Sequence, residues 1–385
     1  MGFCAPSAWY AGMDLTAEQT AIRETVREFA REEVRPVAAE ADREERFPED
    51  VWDGLAELDL TGLTVPDRYG GVDVDRRTYV LVNEALAHGM LALATALSVH
   101  ALATSCIAQF GTETQRQRWL PEMAEGRPVG AFALSEPDAG SNPAEMSTTA
   151  TREGDTYVLD GTKQWITNGQ RAGVYVVFAR TDAGVTQFLV PGDPEGLRAG
   201  EPEQKMGLRA SDTTSLELDD VEIPVENRLT EEGRGLSAAL SILTDGRIGI
   251  AAQSVGLAQA ALDETIEYVN EREQFGGPIG DIQSVRHTVA EMHARTEGAR
   301  QATWNAAERA DADHEVRTEA SVAKYVASEA AVDVTADAVQ LHGGYGYTTE
   351  FPVERFYRDA KVTTIYEGTS QIQKTVIARE LLDDC

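Results

Sequence analysis

The sequence predicts an α+β fold in three consecutive parts: an N-terminal helical domain over 14–127, a middle β-domain (a small barrel or sandwich) over 128–234, and a C-terminal helical bundle over 235–385. Three observations predict it. Apolar residues recur at helical spacing on both flanks. The stretch between them is instead rich in Val, Thr, Phe and Tyr, with Gly-Asp and Asp-Gly turns. No repeat or low-complexity linker interrupts the 385 residues, which suffice for two or three domains around a large core.

In the first part, Thr16 and Gln19 form a capping-box pair, and Ile22, Val26 and Phe29 follow at helical spacing. A second segment follows Pro48, and the Ala/Leu-rich stretch from Arg76 to Phe110 is apolar enough to be buried. No run of about 18 apolar residues calls for a membrane span. The leading "MGFCAPSAWYAG" lacks the basic start and apolar core of a secretory signal, and Pro6 breaks the myristoylation pattern. Residues 1–13 are therefore set apart as a tail or a misassigned start, with Met13 the expected natural first residue.

The middle part carries the strands "TYVLDG", "VYVVFART", "VTQFLV" and "TSLELDDVEI". Helices are then expected over 236–271, 280–311 and 314–341. A last helix starts at Ser370, where Ser370 and Gln373 have the form of a second capping box ahead of Ile372, Val376, Ile377 and Leu381.

Charge narrows the function. Asp and Glu number 65 against 34 Lys and Arg, a net charge of −31, which argues against nucleic acid as a partner. Only five of the basic residues are lysines: Lys163, Lys205, Lys324, Lys361 and Lys374. So acidic a chain repels itself unless salt screens it, and the pattern resembles cytoplasmic proteins of salt-loving microbes. Cys4, Cys106 and Cys385 are too scattered for a disulfide framework or zinc cluster, the six histidines show no metal-site spacing, and a reducing cytoplasm is the default setting. The glycine stretch "HGGYGY" follows a helix and lacks the third glycine of a dinucleotide fingerprint, and no P-loop or G-x-S-x-G is present.

One carboxylate stands out. In "TTIYEGTSQIQ" (363–373), Glu367 follows Thr364, Ile365 and Tyr366 and precedes Gly368. It could complement the dipole of the coming helix, a stabilisation of about 0.3–1 kcal/mol. It could instead point into a pocket, since the adjoining glycine permits positive φ and close approach to a ligand.

Four further stretches each have a plain reading: "FALSEPDAGSN" (132–142) as a strand end with a turn, "GTKQWITNG" (161–169) as a hairpin with a buried Trp, "EREQFGGPIGDIQ" (271–283) as a loop between helices, and "QLHGGYGY" (340–347) as a helix C-cap. Together with "IYEGTSQIQ", in this order and from about residue 14 onward, they resemble the acyl-CoA dehydrogenase family, of the short- or medium-chain type. The resemblance implies an FAD enzyme that desaturates acyl-CoA thioesters between Cα and Cβ, Glu367 taking the α-proton and flavin N5 the β-hydride. It implies that Phe132, Leu134, Ser135, Gly140, Ser141, Trp165, Ile166 and Thr167 line the flavin, with Ser135 and Thr167 donating hydrogen bonds. Arg272, Phe275 and Gln283 would reach the FAD of a neighbouring subunit, with Gln274 also in the cofactor set. Gln340, Leu341, His342, Gly343 and Gly344 would complete the adenosine side, with Thr369 and Gln371 also in the cofactor set.

The resemblance further implies that Ser141, Arg247, Tyr366 and Gly368 meet the substrate. Thr244 stands where relatives carry Asp and Asp245 follows it, so either could meet the CoA moiety; Asn142 likewise replaces a common Asp. The Glu at 367 speaks against the isovaleryl-type branch, whose base lies elsewhere. An electron-transfer flavoprotein as acceptor, a homotetramer, a place in fatty acid β-oxidation, no metal and no membrane integration complete the expectation. An acyl-CoA oxidase-like enzyme using O₂ and a non-catalytic flavin-binding relative are the alternatives, and acyl chain length is left open.

Overall fold

The computed structural model describes residues 13–382; the expectations for residues 1–12 and Cys385 lie outside them. Helix α1 (Ala17–Phe29) starts at the expected capping box, in which Thr16 Oγ1 accepts from the Gln19 N–H at 3.1 Å and Gln19 Oε1 from the Thr16 N–H at 3.2 Å. A π-helical turn, Ala30–Val34, leads into α2 (Arg35–Glu44), and α3 (Glu49–Glu57) follows Pro48. The Ala/Leu-rich stretch is two helices, α4 (Arg76–Gly89) and α5 (Leu91–Phe110), broken where Met90 turns extended with φ −159°. By length and composition α5 could cross a membrane, yet nearly all of it is packed inside the protein. A helix apolar on every face belongs in a core. Helix α6 (Glu113–Ala124) closes this part.

Strands β1 (Val129–Ala133), β2 (Thr149–Glu153), β3 (Thr156–Ile166), β4 (Ala172–Thr181), β5 (Gly184–Pro191), β6 (Leu197–Ala199) and β7 (Thr214–Pro224) form one sheet. Its order is β1-β4-β2-β3-β7-β6, with β5 added on β4. The expected small β-domain is this one seven-stranded sheet. Strand β1 runs parallel to β4, Phe132 opposite Val176, while β3 and β7 pair antiparallel, Leu159 opposite Val221.

Helix α7 (Gly235–Glu271) runs 37 residues, about 55 Å, through the C-terminal part and packs on α4, α5, α8 (Gln283–Asp311) and α9 (Arg317–His342). The segment expected to be a loop after α7 contains a small hairpin, β8 (Glu273–Gln274) and β9 (Gly277–Pro278). A 3₁₀ turn, Gly343–Tyr347, ends α9. Helix α10 (Val353–Thr363) was not legible in the sequence: its charged residues are dense, and only Val353, Phe356, Asp359, Ala360 and Thr363 are buried.

The last helix, α11 (Ser370–Leu382), corrects the second capping box. Thr369 Oγ1, not Ser370, accepts from the Ile372 N–H at 3.2 Å. The Ser370 hydroxyl is drawn away to Glu329 Oε1 at 2.7 Å, and Gln373 Nε2 donates back to the Gly368 carbonyl at 2.9 Å.

Candidate active site

Glu367 sits in the turn between α10 and α11, itself in the left-handed region (φ 50°) and followed by Gly368 at φ 93°. Three backbone bonds close the turn: the Ile365 and Tyr366 N–H groups go to Val362 O, and the Ser370 N–H goes to Thr364 O. The Glu367 N–H takes part in none of these. Its carboxylate lies over Gly246 of α7, where any Cβ would collide with Oε2. That oxygen is buried and has no hydrogen-bond partner. Burial lifts the Glu367 carboxyl to about 7, opposed by the charges of Lys324 and then Arg247.

Both cations are buried. Lys324 on α9 donates from Nζ to Gly368 O at 2.7 Å, and burial pulls its ammonium down to about 8 against the Glu367 charge. Arg247, one residue beyond Gly246, has an unpartnered buried Nε; burial lowers its guanidinium below the ordinary value, again opposed by Glu367. A carboxylate flanked by two cations in a low-dielectric setting is poised for proton transfer near neutral pH. The dipole-complement reading does not account for the orphaned oxygen.

A second wall comes from the sheet. Gln164 N–H donates to Ser135 O at 2.9 Å, which joins the segment after β1 to the end of β3. Under it lies an ion pair, Lys163 Nζ to Glu136 Oε1 at 2.7 Å, with both side chains almost wholly buried. Glu136 also accepts from the Ser147 N–H and hydroxyl and the Thr148 N–H. Burial alone would raise its carboxyl, but these donors, led by Lys163, hold it down at about 2. Trp165 corrects an expectation. It is not buried but 60% exposed, held at φ 64°. Ile166 turns into the sheet core, Thr167 is half-buried, and Phe132 packs on Phe178 with ring centres 4.8 Å apart. Leu134 and Ser135 are half-buried, Gly140 and Ser141 exposed.

Two neighbouring residues of α5 bring the walls together. Asn168, at the end of the W-I-T turn, donates to Ala96 O at 3.0 Å, and the Tyr366 hydroxyl meets Thr95 Oγ1 at 3.4 Å. At the rim, Thr244 donates to Leu240 O of its own helix and Asp245 pairs with Arg76 at 3.2 Å. Thr369 is half-buried and Gln371 exposed.

The remaining expected residues gather elsewhere. Arg272, just past α7, lies over the Tyr345 ring at 5.7 Å. Gln274 and Phe275 form the hairpin, Phe275 being 97% exposed with φ 53°, and Gln283 opens α8 exposed. His342 stacks on Tyr268 at 4.2 Å, and its buried Nε2 is unpartnered. Gln340, Gly343 and Gly344 are exposed beside it, and Leu341 is half-buried. From Gly246 to Arg272 is 26 residues of helix, about 39 Å. Arg272 therefore lies far along α7 from the glycine under the Glu367 carboxylate.

Comparison with known proteins decides the family. The acyl-CoA dehydrogenase N-terminal, middle and C-terminal domains match residues 16–127, 131–221 and 233–382. The rat mitochondrial short-chain specific acyl-CoA dehydrogenase is 42% identical over 379 residues, 97% of this chain and 92% of its own. The chain belongs to the acyl-CoA dehydrogenase family. Among solved acyl-CoA dehydrogenase folds, butyryl-CoA dehydrogenase from Megasphaera elsdenii superposes with a TM-score of 0.94 at 39% identity, covering 96% of this chain and 99% of that one. A chain in a structure of the electron transferring flavoprotein of Acidaminococcus fermentans gives 0.94 at 40%, with the same coverage.

FAD, the cofactor of acyl-CoA dehydrogenases, fits the residues present. Trp165 offers an exposed aromatic face, Gly343 and Gly344 have open space where a Cβ would stand, and His342 Nε2 is an unused buried acceptor. Sequence reasoning missed Lys324, the Lys163–Glu136 pair, Asn168 and Gly246. Scarcity was the available signal for the lysines: the chain has only five, and the structure buries two of them, Lys163 and Lys324, completely.

Proposed function

We propose that this protein oxidises the Cα–Cβ bond of acyl-CoA thioesters to the trans-2-enoyl product, with Glu367 as the base. The observation that carries it is the buried, unpartnered Glu367 Oε2 between Arg247 and Lys324, joined through α5 to the exposed Trp165 turn. An α-proton is acidic only while negative charge spreads onto the thioester oxygen, so a donor must face that oxygen. We take the Glu367 N–H, which is uninvolved in closing its own turn, as that donor. Arg247 and Lys324 favour the ionised carboxylate, and the burial that raises its pKa makes it a competent base. Bound FAD supplies the acceptor for the β-hydrogen and its electron pair. Phe132, Leu134, Ser135, Gly140, Ser141, Trp165 and Thr167 would hold the flavin, with Ile166 contributing backbone. Thr369 and Gln371 would stand at its edge. Ser141, Tyr366, Gly368 and either Thr244 or Asp245 would border the thioester and CoA.

Arg272, Gln274, Phe275, Gln283 and the Gln340–Gly344 segment would hold a neighbour's FAD, which makes the protein a homo-oligomer, a homotetramer in our reading. The acidic composition supports a salt-rich cytoplasm, and β-oxidation is the corresponding metabolic role. The electron acceptor we propose is an electron-transfer flavoprotein, supported by the fold shared with the Acidaminococcus chain.

Glu367→Gln tests the proposal. The variant is expected to keep its FAD while turnover of acyl-CoA with an artificial acceptor falls about 10²–10⁴-fold. Activity within tenfold of wild type would exclude Glu367 as the base. Peroxide released in step with turnover would instead identify an oxidase, and a flavin-loaded protein inert to every acyl-CoA would be a binding relative.

A further inference from the structure

We infer that Tyr79 closes the far end of the acyl pocket and confines the protein to short-chain acyl-CoA thioesters, an inference that rests on the base assignment above. Gly246 and Gly249 stand one turn apart on α7, roughly 4.5 Å along its axis. The two glycines leave a slot on the face of α7, closed from α5 by Leu102 over Gly246 and by Ser98 over Gly249. The Glu367 carboxylate fills this slot over Gly246. The Tyr79 ring fills it over Gly249: a Cβ there would lie 3.1 Å from Tyr79 Cε1, 3.4 Å from its hydroxyl and 3.6 Å from Ser98 Oγ. A chain whose Cα meets Glu367 therefore runs into the phenol within a few carbons.

The stop is rigid. Tyr79 donates from its hydroxyl to Ser98 Oγ at 3.4 Å, which ties α4 to α5 across the slot. Behind it, Asn83 Nδ2 donates to the Tyr79 carbonyl at 2.9 Å and Gln253 Nε2 to Asn83 Oδ1 at 2.9 Å. Thr95 Oγ1 donates to Gln253 Oε1 at 3.2 Å. An apolar tail pushed past Tyr79 would strip buried polar groups of their partners, which is unfavourable.

The experiment compares butyryl-, hexanoyl- and octanoyl-CoA on flavin-loaded protein, by turnover with an artificial acceptor and by calorimetric affinity. One methylene changes discrimination by about 10–200-fold in a fitted pocket. Wild type is thus expected to prefer butyryl- over octanoyl-CoA by at least about tenfold in kcat/KM. Tyr79→Leu should shift that ratio toward octanoyl-CoA by at least tenfold, with affinity moving the same way, while Tyr79→Phe, which keeps the ring, leaves the profile in place. Tyr79→Met, closer to tyrosine in length, replaces the leucine variant if that does not fold. A wild type that takes octanoyl- as readily as butyryl-CoA, or a folded, active Tyr79→Leu or Tyr79→Met variant with an unchanged ratio, overturns the assignment and leaves the dehydrogenase reading standing. No turnover of any chain length overturns both.

Discussion

Lys324 Nζ and the carbonyl of Gly368 are joined by a 2.7 Å hydrogen bond from the N-terminal half of α9 to the turn that carries Glu367. Gln373 Nε2 reaches the same oxygen at 2.9 Å. A backbone at φ 50° and 93° is thereby pinned from two sides, and the ammonium that pins it also lies within electrostatic reach of the Glu367 carboxylate. With Glu367 as the proposed base, Lys324 acts through it as a positioning residue.

Replacing Lys324 by Met should remove both effects. Loss of a nearby cation raises the Glu367 pKa further, so the rising limb of the kcat/KM profile moves to higher pH, and activity at pH 7 falls about tenfold or more. Lys324→Arg should restore the limb only partly, because a planar fork does not replace a compact ammonium. A folded, flavin-loaded Met variant with an unmoved profile would reduce Lys324 to a packing role.

The wild-type profile follows from the same carboxyl. Glu367 is raised to about 7, so below that pH it is protonated and cannot act as base. The free enzyme's kcat/KM should climb about tenfold per pH unit below 7 and level off above it. A plateau reaching down to pH 5 would contradict the burial of this group. Stability has the opposite sign. A carboxyl whose folded pKa exceeds its ordinary 4.5 contributes stability below that value and loses it as pH rises toward 7. Glu367→Gln should therefore melt above wild type at pH 8, and the gap should close at pH 5.

The Lys163–Glu136 pair holds the wall beside Trp165. Lys163→Met leaves a buried carboxylate without its cation, and unfolding in denaturant should show a loss of about 3–5 kcal/mol. Adding Glu136→Leu should recover part of that loss, as apolar replacement of a buried pair often does, although the Ser147 and Thr148 donors then lose their acceptor. Equal stability of wild type and the single variant would mean that those donors alone satisfy Glu136.

Salt should hold the assembly together. At −31 per chain, association brings like charge within a screening length that grows from about 3 Å at 1 M to about 10 Å at 0.1 M. Sedimentation and the flavin-to-protein ratio across that range are expected to show dissociation at low salt with FAD released alongside. A flavin-loaded oligomer that persists at 0.1 M removes the salt-adapted reading and leaves the chemistry untouched.

Local pattern settles a good deal on its own. Most strands and helices, α10 excepted, and the cap at Thr16 were legible because they depend on period, turn residues and nearest neighbours. Long-range placement was not. That Trp165 faces outward rather than inward follows from a φ of 64° at the end of β3, and that Thr369 rather than Ser370 caps α11 follows from a glutamate 41 residues upstream in α9. Lys324, Arg247 and Glu367 come from three separate elements, and Thr95 and Ala96 of α5 join turns almost 200 residues apart. A sequence determines which side chains it owns and how each short segment prefers to coil. Only packing decides which buried charges meet, because that depends on where helices cross, and the depth of the slot beneath Glu367 is set by one such crossing, where Tyr79 of α4 meets Gly249 of α7.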